Sequence, residues 1–218
     1  MTTPAEGRTD LVVLVADADM KFGVGALLQR HRALGTRRIT FDIFKHDDRD
    51  AGCFARAHEY LRPLADDYDH ALVMFDRHGC GSSEAAPDIE AEVWERLERT
   101  GWQDRSAAVV LDPELEIWVW SASPKVAECL GWPPNRPVLR QWLEQQGLWS
   151  PNSPKPTDPK AAVERVRREV KKRRSPRLYE QLGETVTTRH CVDDSFARFR
   201  EVLQRWFPAG QLPPRPRD

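Results

Sequence analysis

The sequence contains little cysteine, no long apolar run and no excess of charge of one sign. Its four cysteines are scattered and form no C-x-x-C pair. This spacing excludes a disulfide framework and a zinc ribbon, and it predicts a reducing, cytoplasmic location. No stretch approaches the roughly 18 apolar residues of a membrane span. Because the N-terminal residues also lack an apolar run, we expect neither membrane association nor a signal peptide.

The charges of the chain nearly balance, with 33 basic and 34 acidic residues among 218. The net charge therefore does not draw the protein to nucleic acid, and any attraction to a polyanion must come from a local patch.

Four short apolar segments stand out, and a continuous apolar run is typical of a parallel strand buried on both faces. They are residues 11–16 (LVVLVA), 39–44 (ITFDIF), 71–75 (ALVMF) and 107–111 (AAVVL). The stretches between them have helical spacing, so the chain is predicted to be an α/β protein with a mostly parallel four-stranded sheet flanked by helices.

The C-terminal half predicts a helical extension on the same core. We expect an α/β domain over residues 1–131, the extension over 132–207, and an unstructured proline-rich tail over 208–218. Within the extension, the apolar spacing predicts a short helix at 138–146, a helix capped by Asp158 and a last helix at 194–206.

Three of the four predicted strands end in acidic residues. The residues that follow them are Asp17 and Asp19, Asp76 with His78, and Asp112, Glu114 and Glu116. Because the carboxyl ends of parallel strands meet at one edge of a sheet, we expect these side chains to converge. Carboxylates side by side need a counter-charge, and Mg²⁺ or Mn²⁺ prefers such oxygen ligands. The alternative is that these acids only form turns and cap helices.

Glu114 and Glu116 are expected in the first turn of a helix that begins at Pro113, with Trp118 directed to the core. Further along, residues 155–177 contain ten basic residues and three acids. Such a face is able to neutralise nucleic-acid phosphates, although a solvated face of an amphipathic helix has the same pattern.

Three segments resemble Toprim-like proteins. Residues 15–22 (VADADMKF) resemble the opening strand and helix of that fold, where a glutamate ends the strand. Residues 73–78 (VMFDRH) resemble the later strand that ends in Asp-x-Asp. Residues 112–120 (DPELEIWVW) resemble the Glu-x-Trp helix start of small stand-alone Toprim-like proteins related to the overcoming-lysogenization-defect nucleases. The order of later segments is also similar, so the resemblance covers most of the chain.

The resemblance implies a Mg²⁺-dependent nuclease site of the kind used in antiphage defence, including methylation-associated defence systems. By position, Asp17 corresponds to the family's general base or metal-binding glutamate, Asp76 to the first metal aspartate and Glu116 to a third carboxylate, with His78 as a further metal ligand. DNA or RNA would be the substrate and other defence proteins the partners. The residues expected to hold the nucleic acid are Arg77, Lys155, Lys171, Lys172, Arg173 and Arg174.

Two departures from the family pattern favour an alternative. Asp17 is one methylene shorter than the family's glutamate, and His78 replaces the second aspartate. Either change is expected to weaken metal binding. The alternative is a non-catalytic interaction or regulatory subunit of a multiprotein defence complex, with Trp132, Trp142 and Trp149 as contact surfaces. A nucleotide-binding regulator that uses the loop 79–83 is the third possibility.

Overall fold

A computed structural model describes residues 8–187 and 191–210. Its strands are β1 (Thr9–Val15), β2 (Phe41–Lys45), β3 (Tyr68–Asp76) and β4 (Ser106–Leu111). They form one sheet in the order β2-β1-β3-β4, and all three strand pairs are parallel. The predicted α/β architecture with a parallel four-stranded sheet is confirmed.

Helices connect and cover the strands. Over the first half of the chain they are α1 (Ala18–Gln29), α2 (His31–Leu34), α3 (Arg49–Leu61), a 3-10 helix (Arg62–Leu64) and α4 (Ala86–Glu98). After β4 they are α5 (Glu116–Val119), α6 (Lys125–Leu130), α7 (Leu139–Gln145), α8 (Pro159–Glu169), α9 (Arg177–Thr185) and α10 (Asp194–Trp206).

The two faces of the sheet are buried by different helices. In β1, Leu11 and Val13 belong to a cluster that includes residues of α1, α8, α9 and α10. Val12 and Leu14 belong to a second cluster with α3 and α4. Because both faces are covered, β1 is apolar at consecutive positions from Leu11 to Val15 rather than at alternate ones.

The first of these clusters contains residues from both sides of the predicted boundary at 131. The predicted helices of the extension form. The side chain of Asp158 accepts a hydrogen bond from the Ala161 amide, as its predicted capping role requires, and Asp193 caps the last helix by accepting one from the Phe196 amide. Pro208 forms an isolated bridge with Thr36. The rest of the predicted tail, from residue 211, lies outside the described residues.

Helix α9 lies unusually close to α1. A Cβ atom added at Gly183 would be 2.7 Å from the carbonyl oxygen of Gly23 and 2.9 Å from the Cβ of Ala26. Only a glycine fits this contact without movement of the backbone. The close approach fixes the height of α9 above the sheet, which determines where its side chains reach.

Two predictions about helix boundaries are wrong. The helix after β4 begins at Glu116 rather than Pro113, because the Pro113 carbonyl accepts a hydrogen bond from the His78 amide at 3.0 Å and the Leu115 amide donates to Asp76. These backbone groups thus bind the end of β3 instead of starting a helix. Similarly, α8 ends at Glu169, so Lys171–Arg174 lie in the segment that joins α8 to α9 rather than on a helix face. No helix within the described ranges has the length and apolar character that crossing a membrane requires.

Candidate metal centre

The acidic residues lie at the point in the sheet where the strand order reverses. β1 and β3 are neighbours, and the chain continues from β1 to β2 on one side and from β3 to β4 on the other. A crevice at such a switch point, outside the carboxyl ends of the strands, is the usual ligand site of an open α/β sheet. Asp17 follows β1 and Asp76 ends β3, so both border this crevice.

Three carboxylates converge there. Ligand oxygens of Asp76, Glu114 and Glu116 all lie within 4.8 Å of one another. The Leu115 amide donates to Asp76 Oδ1 at 2.9 Å, which holds the segment after β4 against the end of β3. The two glutamates flank Leu115 and therefore reach the same point. This buried acidic group could hold a divalent metal ion.

Each of the three carboxylates uses one oxygen in a hydrogen bond and keeps the other. Glu114 Oε2 accepts from Lys160 Nζ at 2.7 Å, and Glu116 Oε1 accepts from the Tyr179 hydroxyl at 2.6 Å. The remaining oxygens of Asp76, Glu114 and Glu116 accept no hydrogen bond from any other residue that the structure describes. Three such oxygens are a suitable donor set for Mg²⁺ or Mn²⁺, both of which prefer oxygen ligands.

Two further acids surround this group. Asp50, in the first turn of α3, accepts a hydrogen bond from the Asp76 amide at 2.9 Å. Burial raises the pKa of Asp76 well above its usual value, and the charges of Asp50, Glu116, Asp17 and Glu114 raise it further. Burial also raises the pKa of Asp50, with a contribution from Asp17. The five carboxylates thus act on one another, although only three of them converge.

Positive charge at the site is limited. Burial raises the pKa of Glu116, and the hydrogen bond from Tyr179 and the charge of Lys160 oppose that shift. Burial disfavours the charged form of Lys160, but its hydrogen bond to Glu114 and the charges of Glu116, Glu114 and Asp76 raise its pKa overall. Arg174, which pairs with Asp19, also interacts with the charge of Glu116, but Lys160 and Arg174 together carry too little charge to balance five carboxylates. The imbalance favours a bound cation when all five are ionised.

The structure separates the four residues predicted from the resemblance to bind the metal. Asp76 and Glu116 lie together in the convergent group. Asp17 lies beside that group, and its Oδ1 caps α1 by accepting from the Met20 amide at 2.9 Å. His78 is exposed in the loop after β3 and does not belong to the convergent group found among the described residues. A role for Asp17 or His78 as a metal ligand stays a prediction.

The predicted phosphate-binding residues differ in their exposure and in their hydrogen-bond partners. Lys155 is buried rather than on the basic surface, because its Nζ donates to the Ile117 carbonyl at 2.7 Å and contacts Asp193 at 3.3 Å. Arg77 bonds Asp112 at 2.9 Å. Arg174 bonds Asp19 at 2.7 Å. Residues 171–174 are all exposed. The tryptophans predicted as a contact surface are mainly structural, since Trp132 and Trp149 are buried.

Three residues of the site were not identified from the sequence. Asp50 lies just beyond the acids that follow β2, a position that the pattern of acids after strands could have indicated. Lys160 and Tyr179 come from α8 and α9, far from any strand end in sequence. No local signal marks these two, because the docking of their helices over the sheet brings them to the site.

Comparisons with protein-family models, with curated proteins and with solved structures found no match. The chemistry of the site is therefore interpreted from its geometry and from the residues themselves.

Proposed function

We propose that the protein binds Mg²⁺ or Mn²⁺ through Asp76, Glu114 and Glu116 and acts on nucleic-acid phosphodiesters, as a Toprim-like component of an antiphage defence system. The observation that carries the proposal is the convergence of these three carboxylates at the switch point of a parallel sheet, with a free oxygen on each. The Toprim-like identity and the defence role rest on the sequence resemblance, and the cytoplasmic location rests on the cysteine pattern.

Different residues of the site would have different roles in the reaction. A divalent ion, when bound, would polarise a phosphoryl oxygen and stabilise the leaving oxygen. Asp17 and Asp50 border the convergent group, and an ionised carboxylate in this position would orient or deprotonate an attacking water. Lys160 lies 2.7 Å from Glu114 and is positioned to counter the charge of a phosphate as it enters the site.

Cleavage assays test this proposal directly. DNA and RNA are incubated with the wild-type protein and with Asp76→Asn in Mg²⁺, in Mn²⁺ and in chelator. We expect metal-dependent cleavage by the wild type that the substitution abolishes, while circular dichroism shows an intact fold. Absence of cleavage by the wild type with every divalent metal would refute the catalytic proposal.

A non-catalytic subunit is the second candidate, and two observations favour it. Lys160 already pairs with Glu114, one of the three converging carboxylates. His78, at the position of the family's second aspartate, is exposed. Under this alternative the protein would co-purify with other defence proteins and would show no Mn²⁺ binding by calorimetry. Binding of Mn²⁺ with loss of affinity in Asp76→Asn would exclude it as stated.

A further inference from the structure

We propose that a basic groove at the end of α8 binds the phosphate backbone of a polynucleotide whose neighbouring phosphodiester lies at the metal centre. This inference rests on the proposed function and defines its substrate as a polymer rather than a mononucleotide. The groove is lined by five cations and one acid: Glu164, Arg167, Arg168, Lys171, Lys172 and Arg173.

Most of the positive charge of this groove has no acidic partner in the part of the chain that the structure describes. Arg168 pairs with Glu164 at 3.1 Å, and Lys172 donates to the Cys129 carbonyl at 2.6 Å. Arg167, Lys171 and Arg173 form no ion pair within residues 8–187 and 191–210. The Nε atom of Arg167 is buried and has no hydrogen-bond partner among the described residues.

Unpaired cations that share one groove repel one another, and an external anion removes that cost. Elsewhere on the same helix, Arg165 pairs with Glu169 at 3.1 Å, so α8 does not lack acids in general. In the groove, by comparison, the positive charge is available for a ligand. Guanidinium groups suit phosphate oxygens, which they bind in a planar, bidentate manner.

Two connections place this groove next to the metal centre. α8 carries Lys160 near its start and Arg167 near its end, and a helical rise of 1.5 Å per residue separates their Cα atoms by about 10 Å along the axis. From the other direction, Arg174 bonds Asp19 beside the crevice, and three residues of chain reach at most about 11 Å to Lys171. The groove is therefore connected to residues of the crevice from both directions, at a separation on the order of 10 Å along α8.

This distance defines the class of ligand. At about 3.4 Å per nucleotide of a strand, a separation on the order of 10 Å corresponds to about three nucleotides between the groove and Lys160. A mononucleotide is too short to contact both. Arg77 and Lys155 are expected to contribute less to polynucleotide binding than residues 167–173, since both form hydrogen bonds with protein groups.

The test compares two triple variants that each remove three positive charges. Arg167→Gln, Lys171→Gln and Arg173→Gln are combined to neutralise the groove. Arg32→Gln, Arg38→Gln and Arg62→Gln form the control, because these exposed arginines precede the amino ends of β2 and β3, away from the carboxyl ends that border the crevice. Fluorescence anisotropy in chelator measures binding to 20-nucleotide single-stranded DNA, duplex DNA and single-stranded RNA, as a function of salt. Mn²⁺ affinity is measured separately by calorimetry.

We expect the groove variant to bind polynucleotide at least tenfold more weakly than the wild type. Its slope of log affinity against log salt should fall by about 2.7 on duplex DNA or about 2.1 on a single strand, the values for three lost phosphate contacts. Mn²⁺ affinity should stay unchanged, and the control variant should bind like the wild type. The three nucleic acids then show whether DNA or RNA, single or double stranded, is preferred.

The results that overturn the inference are specific. Polynucleotide binding by the groove variant that equals the wild type, or an equal loss in the control variant, would refute it. So would a wild type that binds no polynucleotide, or one that binds polyglutamate as tightly as nucleic acid. If the groove variant loses polynucleotide binding but the wild type binds no metal, the groove assignment stands and the proposed catalytic function fails.

Discussion

Replacement of Tyr179 by phenylalanine should weaken metal binding without disrupting the fold. Tyr179 is buried, with 5% of its surface exposed, and its hydroxyl donates to Glu116 Oε1 at 2.6 Å. This hydrogen bond occupies one oxygen of Glu116 and so directs the other towards Asp76 and Glu114. Phenylalanine retains the ring that packs against α1 but leaves the Glu116 carboxylate without its buried donor.

Two magnitudes follow from this loss. A hydrogen bond to a charged group contributes about 1.5 to 3 kcal/mol to stability, which corresponds to a fall of about 3 to 12 °C in melting temperature for a protein of this size. Loss of a group that orients a metal ligand typically reduces metal affinity 10- to 100-fold. The second effect is the specific one, because a general loss of packing would not change the affinity of protein that remains folded.

Tyr68 provides a matched control. It is also buried, with 8% exposed, and its hydroxyl donates to Asp42 Oδ2 at 2.8 Å, at the opposite end of β3. Calorimetric titration of Mn²⁺ into both variants separates the two roles. We expect Tyr179→Phe to lose affinity and Tyr68→Phe to retain that of the wild type. Equal affinities for all three proteins would show that Tyr179 does not orient a metal ligand.

Three further predictions concern the stability of the protein, measured by thermal unfolding. The raised pKa of Asp76 means that the folded protein holds this proton more tightly than the unfolded chain, so stability falls as pH rises from about 4 through the raised pKa. Asp76→Asn should therefore melt at a higher temperature than the wild type at pH 8 in chelator, and at a similar temperature at pH 4; a lower value at pH 8 would contradict this. Mg²⁺ at 100 times its dissociation constant should stabilise the wild type by about 2.7 kcal/mol, or about 5 to 11 °C, and no shift is expected in Asp76→Asn. Gly183→Ala should destabilise the protein by about 1 to 3 kcal/mol, because the added Cβ would lie 2.7 Å from the Gly23 carbonyl oxygen. Gly25→Ala is the control and should be neutral or stabilising, because its Cβ would meet only the Ile43 side chain, at 3.5 Å.

The sheet could be predicted because its sequence signal is local. A strand buried on both faces needs an apolar side chain at each position, and residues 11–16 and 107–111 satisfy this condition without reference to the rest of the chain. The position of Asp76 follows from the same signal, since it is the first polar residue after a buried strand. The boundaries were less exact: β3 extends back to Tyr68, where polar residues alternate and the apolar run has not begun.

The remainder of the site depends on tertiary contacts that no local pattern encodes. Tyr179 reaches Glu116 because Gly183 allows α9 to approach Gly23 closely. Gly183 and Gly23 are about 160 residues apart in the sequence. The helix predicted at Pro113 failed for a related reason. The backbone of Pro113 and Leu115 forms hydrogen bonds with the end of β3, and a partner distant in sequence overrode the local preference for a helix.

Crystals of the protein soaked in Mn²⁺ would test the metal centre most directly, by anomalous diffraction. We predict an anomalous peak between Asp76, Glu114 and Glu116, about 2.0 to 2.3 Å from one oxygen of each carboxylate. The peak should be absent in Asp76→Asn. A peak that appears only at His78, or no peak in the crevice at a saturating concentration of Mn²⁺, would contradict the assignment of these three carboxylates as the metal site.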